Sequence, residues 1–153
     1  MQFLTTALIS LVAASPVGQV DKAAANPLSY FTNCSGPDAI LVLESAKFTP
    51  NPLKKGELMS LTISGTLKEP ITQGATTRNA LKYGPFGVMD NTLDLCDESA
   101  KDGIPCPIPV GKWVQSKTFT VPGFAPGGKY DGSFEFVNAD GKQIACLTSA
   151  MYF

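Results

Sequence analysis

Residues 56–67 read GELMSLTISGTL. From Met59 onward, Met59, Leu61, Ile63, Gly65 and Leu67 point one way, while Ser60, Thr62, Ser64 and Thr66 point the other. That is the two-residue period of an extended strand with one face buried and one in water. Similar runs recur on both sides, separated by Gly, Pro, Asn and Asp clusters. Ala39–Phe48 is closed by Pro50-Asn51-Pro52. Ala75–Tyr83 sets Leu81 and Tyr83 opposite Arg78 and Lys82, and Phe86–Leu95 ends at Cys96. Lys112–Val121 turns Trp113, Phe119 and Val121 inward, with Gln115 and Lys117 on the same side. Lys129–Val137 alternates Tyr130, Phe134 and Phe136; Asn138-Ala-Asp-Gly141 is a hairpin turn signal, and Gln143–Phe153 is the last run. No stretch carries a helical period with caps. About seven strands, most with one apolar face, predict an all-β, immunoglobulin-like sandwich of two antiparallel sheets. The Cys-Trp-Cys core of immunoglobulin domains does not occur in its usual order, because Cys34 precedes the first run and Cys146 lies in the last.

The chain has 153 residues, enough for one domain. Apolar residues make up 44%, charged residues 16%, and the formal net charge is −1. No basic footprint for nucleic acid is present, and the lysines are too scattered for a polybasic membrane patch. Phe3–Ala14 is an apolar run too short to span a bilayer, and Val12-Ala13-Ala14 offers small residues for cleavage. Residues 1–14 are therefore expected to be a signal peptide; an ordinary buried N-terminal segment is the alternative. Residues 15–29 read as a leader or propeptide, and the domain as 30–153. The mature protein is expected to be a soluble monomer in the secretory pathway. Four cysteines, Cys34, Cys96, Cys106 and Cys146, imply two bridges there, with three pairings open. Zinc is a poor alternative, since the spacing lacks a Cys-X-X-Cys pair and histidine is absent.

Without histidine, Ser-His-Asp and Cys-His catalysis are impossible. Asp94, Asp97 and Glu98 could supply a carboxylate pair, as in glycoside hydrolysis. The plainer reading is a solvated turn between a strand and a disulfide loop. Gly127-Gly128 has no phosphate-loop context. Asn33-Cys34-Ser35 fits the N-glycosylation pattern, with a cysteine in its centre. No catalytic residue, metal or cofactor is expected.

Cys96…Gly103-Ile104-Pro105-Cys106-Pro107-Ile108 resembles the "C…GxxCPI" signature of the ML lipid-recognition family. That family includes the soluble Niemann–Pick type C sterol carrier, mite allergens and fungal phosphatidylglycerol/phosphatidylinositol transfer proteins, which this chain resembles most. Cys34, SGTLKEPI (64–71), LKYG (81–84), LDLC (93–96) and CLTSAMYF (146–153) match in order, so the resemblance covers roughly residues 30–153. The family pattern has six cysteines; here the hairpin pair is missing. The resemblance then implies bridges Cys34–Cys146 and Cys96–Cys106, contributing ~4–5 and ~2–3 kcal/mol on the chain-entropy account.

It also implies a phospholipid or sterol held between the sheets, no enzymatic reaction, and transient contact with a membrane. The lining would come from the inward positions: Met59, Leu61 and Ile63; Leu81 and Tyr83; Leu93 and Leu95; Trp113, Phe119 and Val121; Phe134 and Phe136. Phe86, Val88 and Met89 would stand at the mouth. Gaps at Gly65, Ala75 and Gly132 among bulky aromatics would leave the space. The destination is outside the cell or the lumen of a vacuole or lysosome. The rival readings are a secreted recognition or antigen-like sandwich with a filled core, and a carbohydrate-active sandwich.

Overall fold

The structure is a computed structural model and describes residues 30–153; the expected signal peptide and leader lie outside them. The chain order is β1 (Phe31–Asn33), β2 (Leu41–Thr49), β3 (Leu58–Leu67), β4 (Thr76–Tyr83), β5 (Phe86–Asp94), α1 (Leu95–Lys101), β6 (Gly111–Thr120), β7 (Lys129–Val137) and β8 (Gln143–Tyr152). The strands form a five-stranded sheet, β1-β8-β7-β4-β5, and a three-stranded sheet, β2-β3-β6. Every pairing is antiparallel.

The alternation of residues 56–67 places β3 at the centre of the smaller sheet. Met59, Leu61, Ile63 and Leu67 are almost wholly buried against Phe134, Phe136, Leu147 and Met151 of the larger sheet, within one core. Aromatic contacts fix how the layers align. Phe31 of β1 lies over Phe48 of β2 at 4.7 Å between ring centroids. Trp113 of β6 meets Phe136 of β7 edge-on at 6.2 Å. So β1 faces β2, β8 faces β3 and β7 faces β6. Two strands of the wider sheet, β4 and β5, extend beyond the edge of the narrower one.

Two elements depart from the expected seven strands. β1 is three residues long, too short for a period to show; it exists because it pairs with β8 through Phe31↔Ser149 and Asn33↔Leu147. The seven-residue α1 replaces the expected solvated turn, and seven residues cannot display a 3.6-residue repeat. Its signal was local: the Asp94 side chain caps it by accepting from Asp97 N at 3.0 Å, and Leu95 and Ser99 are buried one turn apart. Leu95 therefore does not end β5 but opens the helix, its N–H donating to Ala75 O at 2.9 Å.

The disulfides join Cys34 to Cys146 across 112 residues and Cys96 to Cys106 across 10, the pairing that the family resemblance implies. The first ties β1 to β8, where Cys34 N also donates to Cys146 O at 3.0 Å. The second ties α1 to the segment leading into β6, which is anchored by an Ile71↔Ile108 bridge.

The expected gaps are corrected. A Cβ on Gly65 would sit 2.3 Å from Val42 O and 2.9 Å from a Leu41 methyl. This glycine permits the close approach of β2 at its irregularity between Leu43 and Ser45. A Cβ on Gly132 would meet Ser149 Oγ at 2.4 Å, and Ala75 is fully buried. Small side chains here mark tight packing rather than empty volume, a distinction alternation cannot make. Gly65→Ala is therefore expected to destabilise the protein by roughly 1–3 kcal/mol, as overpacking does, read as a lower denaturant midpoint at unchanged slope. An unchanged midpoint would mean there is room at Gly65.

Candidate functional site

The overhang of the wider sheet creates the candidate site. On β4, Thr77, Asn79, Leu81 and Tyr83 are in register with Phe136, Phe134, Gly132 and Tyr130 of β7, so they face inward. On β5, Leu93, Asn91 and Met89 pair with Thr77, Asn79 and Leu81, and Phe86 pairs with Tyr83 across a register shift. Together these side chains form a ledge with no strand opposite it. Every residue of β5 from Phe86 to Thr92 is exposed, with Phe86 at 69% and Met89 at 39%. Leu81 and Tyr83 are partly buried, as is Phe119 of β6 beside the opening.

Both ends of the ledge are roofed. At the Thr77–Leu93 end, α1 is pinned to β6: Ser99 Oγ donates to Gln115 Oε1 at 2.6 Å, and Gln115 Nε2 donates to Asp102 Oδ2 at 2.6 Å. Glu98 binds Lys117 of β6 and Lys101. At the other end the β6–β7 loop folds over. Tyr83 OH donates to Gly127 O at 3.1 Å, Tyr130 OH to Pro126 O at 2.9 Å, and Lys55 Nζ to Ala125 O at 2.8 Å. Between the two roofs β5 is exposed from Phe86 to Thr92, and this edge of the wider sheet is taken as the open side.

The charges stand off the ledge. Arg78 Nε and Nη2 donate to Asp90 at 2.9 and 2.7 Å on the outer face, which lowers the Asp90 pKa. Hydrogen bonds from Lys101 and then Lys117 hold the Glu98 carboxyl below the usual carboxylate range. Asp94 is occupied as the helix cap. Two of the three carboxylates beside Cys96, Asp94 and Glu98, thus build and fasten α1.

The expected lining residues fall into three groups. Met59, Leu61, Ile63, Trp113, Val121, Phe134 and Phe136 are buried in the core, and Leu95 lies under α1. Leu81, Tyr83, Phe119 and Leu93 are partly buried along the opening. Phe86 and Val88 are exposed on the overhanging strand. A broad depression of about 670 Å³ lies elsewhere, on the outer face around Ala80, Ser133, Thr148 and Ala150; none of the expected residues lines it. The residue-by-residue reading missed Asn79 and Asn91, although counting back two from Leu81 reaches Asn79. It also missed Phe124, 91% exposed in the β6–β7 loop, because an isolated apolar residue in a Gly/Pro-rich loop carries no periodic signal.

A two-sheet sandwich with one side open, pinned by two disulfides, defines a class of small β-domain, and comparison places it. Residues 29–153 match the ML domain, and the chain belongs to the ML domain family. A relative from Aspergillus fumigatus, named phosphatidylglycerol/phosphatidylinositol transfer protein, is 37% identical over 80% of this chain and 69% of its own. One of the same name from Aspergillus oryzae is 31% identical over 96% and 94%. Among solved structures, a Niemann-Pick type C2 protein from the Japanese carpenter ant superposes with a TM-score of 0.62 at 15% identity, covering 80% of this chain and 97% of its own. Chicken MD-1 complexed with lipid IVa gives 0.55 at 16%, covering 80% and 88%. These two establish the fold.

The Glu98 pins predict a pH dependence. A carboxyl whose pKa is lowered by folding adds stability above its unfolded pKa, and loses it as pH falls through the folded value. Glu98, Glu44 and Asp90 all share this direction. Stability should therefore fall as the solution is acidified below the ordinary carboxylate range. Glu98→Gln should flatten part of that fall, measured by urea melts from neutral to acid pH. Parallel wild-type and variant curves would mean that Glu98 does not fasten α1 in solution.

Proposed function

We propose that this protein binds a lipid, a phospholipid or sterol, at the side opening between its sheets and carries it between membranes. The observation that carries the reading is the exposed apolar edge of β5, where Phe86 and Met89 stand open beside the half-buried Leu81 and Tyr83 of β4. An exposed apolar ledge costs free energy in water. A lipid tail laid on it gains about 0.8 kcal/mol per CH₂ removed from water, and the buried core residues Leu61, Ile63, Trp113, Phe134 and Phe136 lie behind. The head group stays hydrated at the exposed edge of β5, so recognition rests on the tail. Kinship with fungal transfer proteins supports a phospholipid cargo.

The remaining parts of the proposal follow from the same features. Phe86 and Val88 on β5 and Phe124 in the β6–β7 loop are exposed. They belong to adjacent segments, since Tyr83 beside Phe86 bonds Gly127 of that loop, and this end meets the membrane. The two disulfides and the ML fold point to an extracellular or lumenal compartment, reached by way of a signal peptide at residues 1–14. Transfer needs no chemical step, and we assign the protein no enzymatic activity. The mature protein acts as a monomer.

The test is organic extraction of the purified protein followed by mass spectrometry, paired with fluorescent-lipid transfer between vesicles. Lipid should co-purify. Leu81→Asp and Met89→Asp should cut transfer at least about tenfold, since a charge placed against a tail costs several times the 1.4 kcal/mol that a factor of ten requires. Met89 is exposed at the open side, so lipid-free Met89→Asp should keep its melting temperature, whereas Leu81 is half-buried against the core and Leu81→Asp should lower it. Saturating lipid at a hundred times its dissociation constant should add about 2.7 kcal/mol of stability. The packed centre at Gly65 and Gly132 favours the filled-core recognition sandwich as the second reading. Absence of both extracted lipid and lipid-dependent stabilisation would select it.

A further inference from the structure

Among the described residues the buried polar side chains are Thr77, Ser99, Gln115, Asn138 and Ser149, none of them charged. Ser99 and Gln115 satisfy each other and Asp102, and Asn138 bonds Pro70, Thr72 and Ala139. Three buried polar atoms have no partner: Thr77 Oγ1, Trp113 Nε1 and Ser149 Oγ. Two of these flank one side chain. Thr77 is in register with Phe136 on the inner face, and Trp113 meets the same Phe136 ring edge-on from the opposite sheet. Both are more than nine-tenths buried, at 5% and 2% exposure. They sit where the ledge runs under α1, at the closed end of the opening. Ser149 pairs with Gly132 instead, four residues away along β7 or about 13 Å at strand rise.

An unpartnered donor sealed from water is costly, and an indole N–H can only donate. These two donors lie at the closed end of an opening lined by Leu81, Met89 and Leu93 together with the amides of Asn79 and Asn91, and an acceptor from outside the chain would satisfy them. No cationic side chain is buried beside them, so an ionised phosphate or carboxylate would be stranded there. A neutral oxygen suits either donor, since it can accept from Trp113 Nε1 or exchange a hydrogen bond with Thr77 Oγ1.

Resting on the lipid-binding reading, we propose that Trp113 Nε1 and Thr77 Oγ1 form a polar anchor for a neutral oxygen of the bound lipid, a carbonyl or hydroxyl buried at the α1 end. The protein then selects among lipids of equal tail length by whether an oxygen reaches this depth, while the charged head group stays outside. Because both atoms are sealed without cargo, the lipid reaches them along the ledge from the softer β6–β7 loop end.

The test compares Trp113→Phe and Thr77→Val with wild type. Each removes the donor and keeps most of the volume. Four probes are titrated by fluorescent-lipid displacement: diacyl phosphatidylglycerol, its ether-linked counterpart without ester carbonyls, cholesterol, and its 3-deoxy analogue. Each substitution should weaken binding of the oxygen-bearing member of at least one pair roughly two- to tenfold, the worth of one hydrogen bond. It should leave the other member of that pair unchanged. Loss confined to the diacyl lipid identifies an ester carbonyl; loss confined to cholesterol identifies the hydroxyl. Lipid-free Thr77→Val should keep its stability, since no internal hydrogen bond is lost, whereas Trp113→Phe also removes a ring from the packed core and should melt somewhat lower without lipid. The proposal is overturned if lipid binds and neither substitution distinguishes the members of either pair, or if both destabilise the lipid-free protein with affinities intact. If no probe binds wild type, the lipid-binding reading itself fails and the anchor fails with it.

Discussion

Packing of a three-stranded sheet against a five-stranded one is the constraint from which the rest of the molecule follows. Three strands can cover only three, and the aromatic contacts Phe31–Phe48 and Trp113–Phe136 show which three are covered. The core is then complete between β1-β8-β7 and β2-β3-β6, with Met59, Ile63, Leu147 and Ile144 almost inaccessible to water. What remains of the wider sheet, β4 and β5, holds its place by ladder hydrogen bonds to β7 and by two short roofs. An apolar surface that the fold needs on one side of the chain is left over on the other.

The two roofs are held by different physics. The β6–β7 loop is fastened by neutral hydrogen bonds from Tyr83, Tyr130 and Lys55 to backbone carbonyls, the lysine adding charge. The helix α1 is fastened by a disulfide, by the Ser99–Gln115–Asp102 chain and by the Glu98 ion pairs. The covalent and charged attachments thus gather at the closed end, where the polar anchor lies, and the softer ones at the end carrying Phe86 and Phe124. A cargo entering from the side would find the α1 end rigid and the loop end yielding.

The wider family supplies context. Membership in the ML domain family and likeness to the Niemann-Pick type C2 and MD-1 structures both place this chain on a sandwich fold. Two bridges hold the chain. The long one ties β1, only three residues, to β8, and the short one secures α1. Each bridge therefore fastens an element too small to hold by packing alone.

Strand identity was legible from residues 56–67 and their neighbours, because a side chain's face in a strand depends only on whether its position is odd or even. The inward set Leu61, Ile63, Trp113, Phe134 and Phe136 could be read that way, and the resemblance to the ML family carried the disulfide pairing. Alternation says which face a residue takes, not what stands opposite it. Whether Leu81 and Met89 meet a strand or water, and whether Gly65 leaves a void or admits a backbone, depends on how many strands each sheet holds and how the two align. The short β1 and α1 fell below the length at which a period exists. The partnerless donors at Thr77 and Trp113 appear only once every neighbouring acceptor has been placed, which is a property of the tertiary structure.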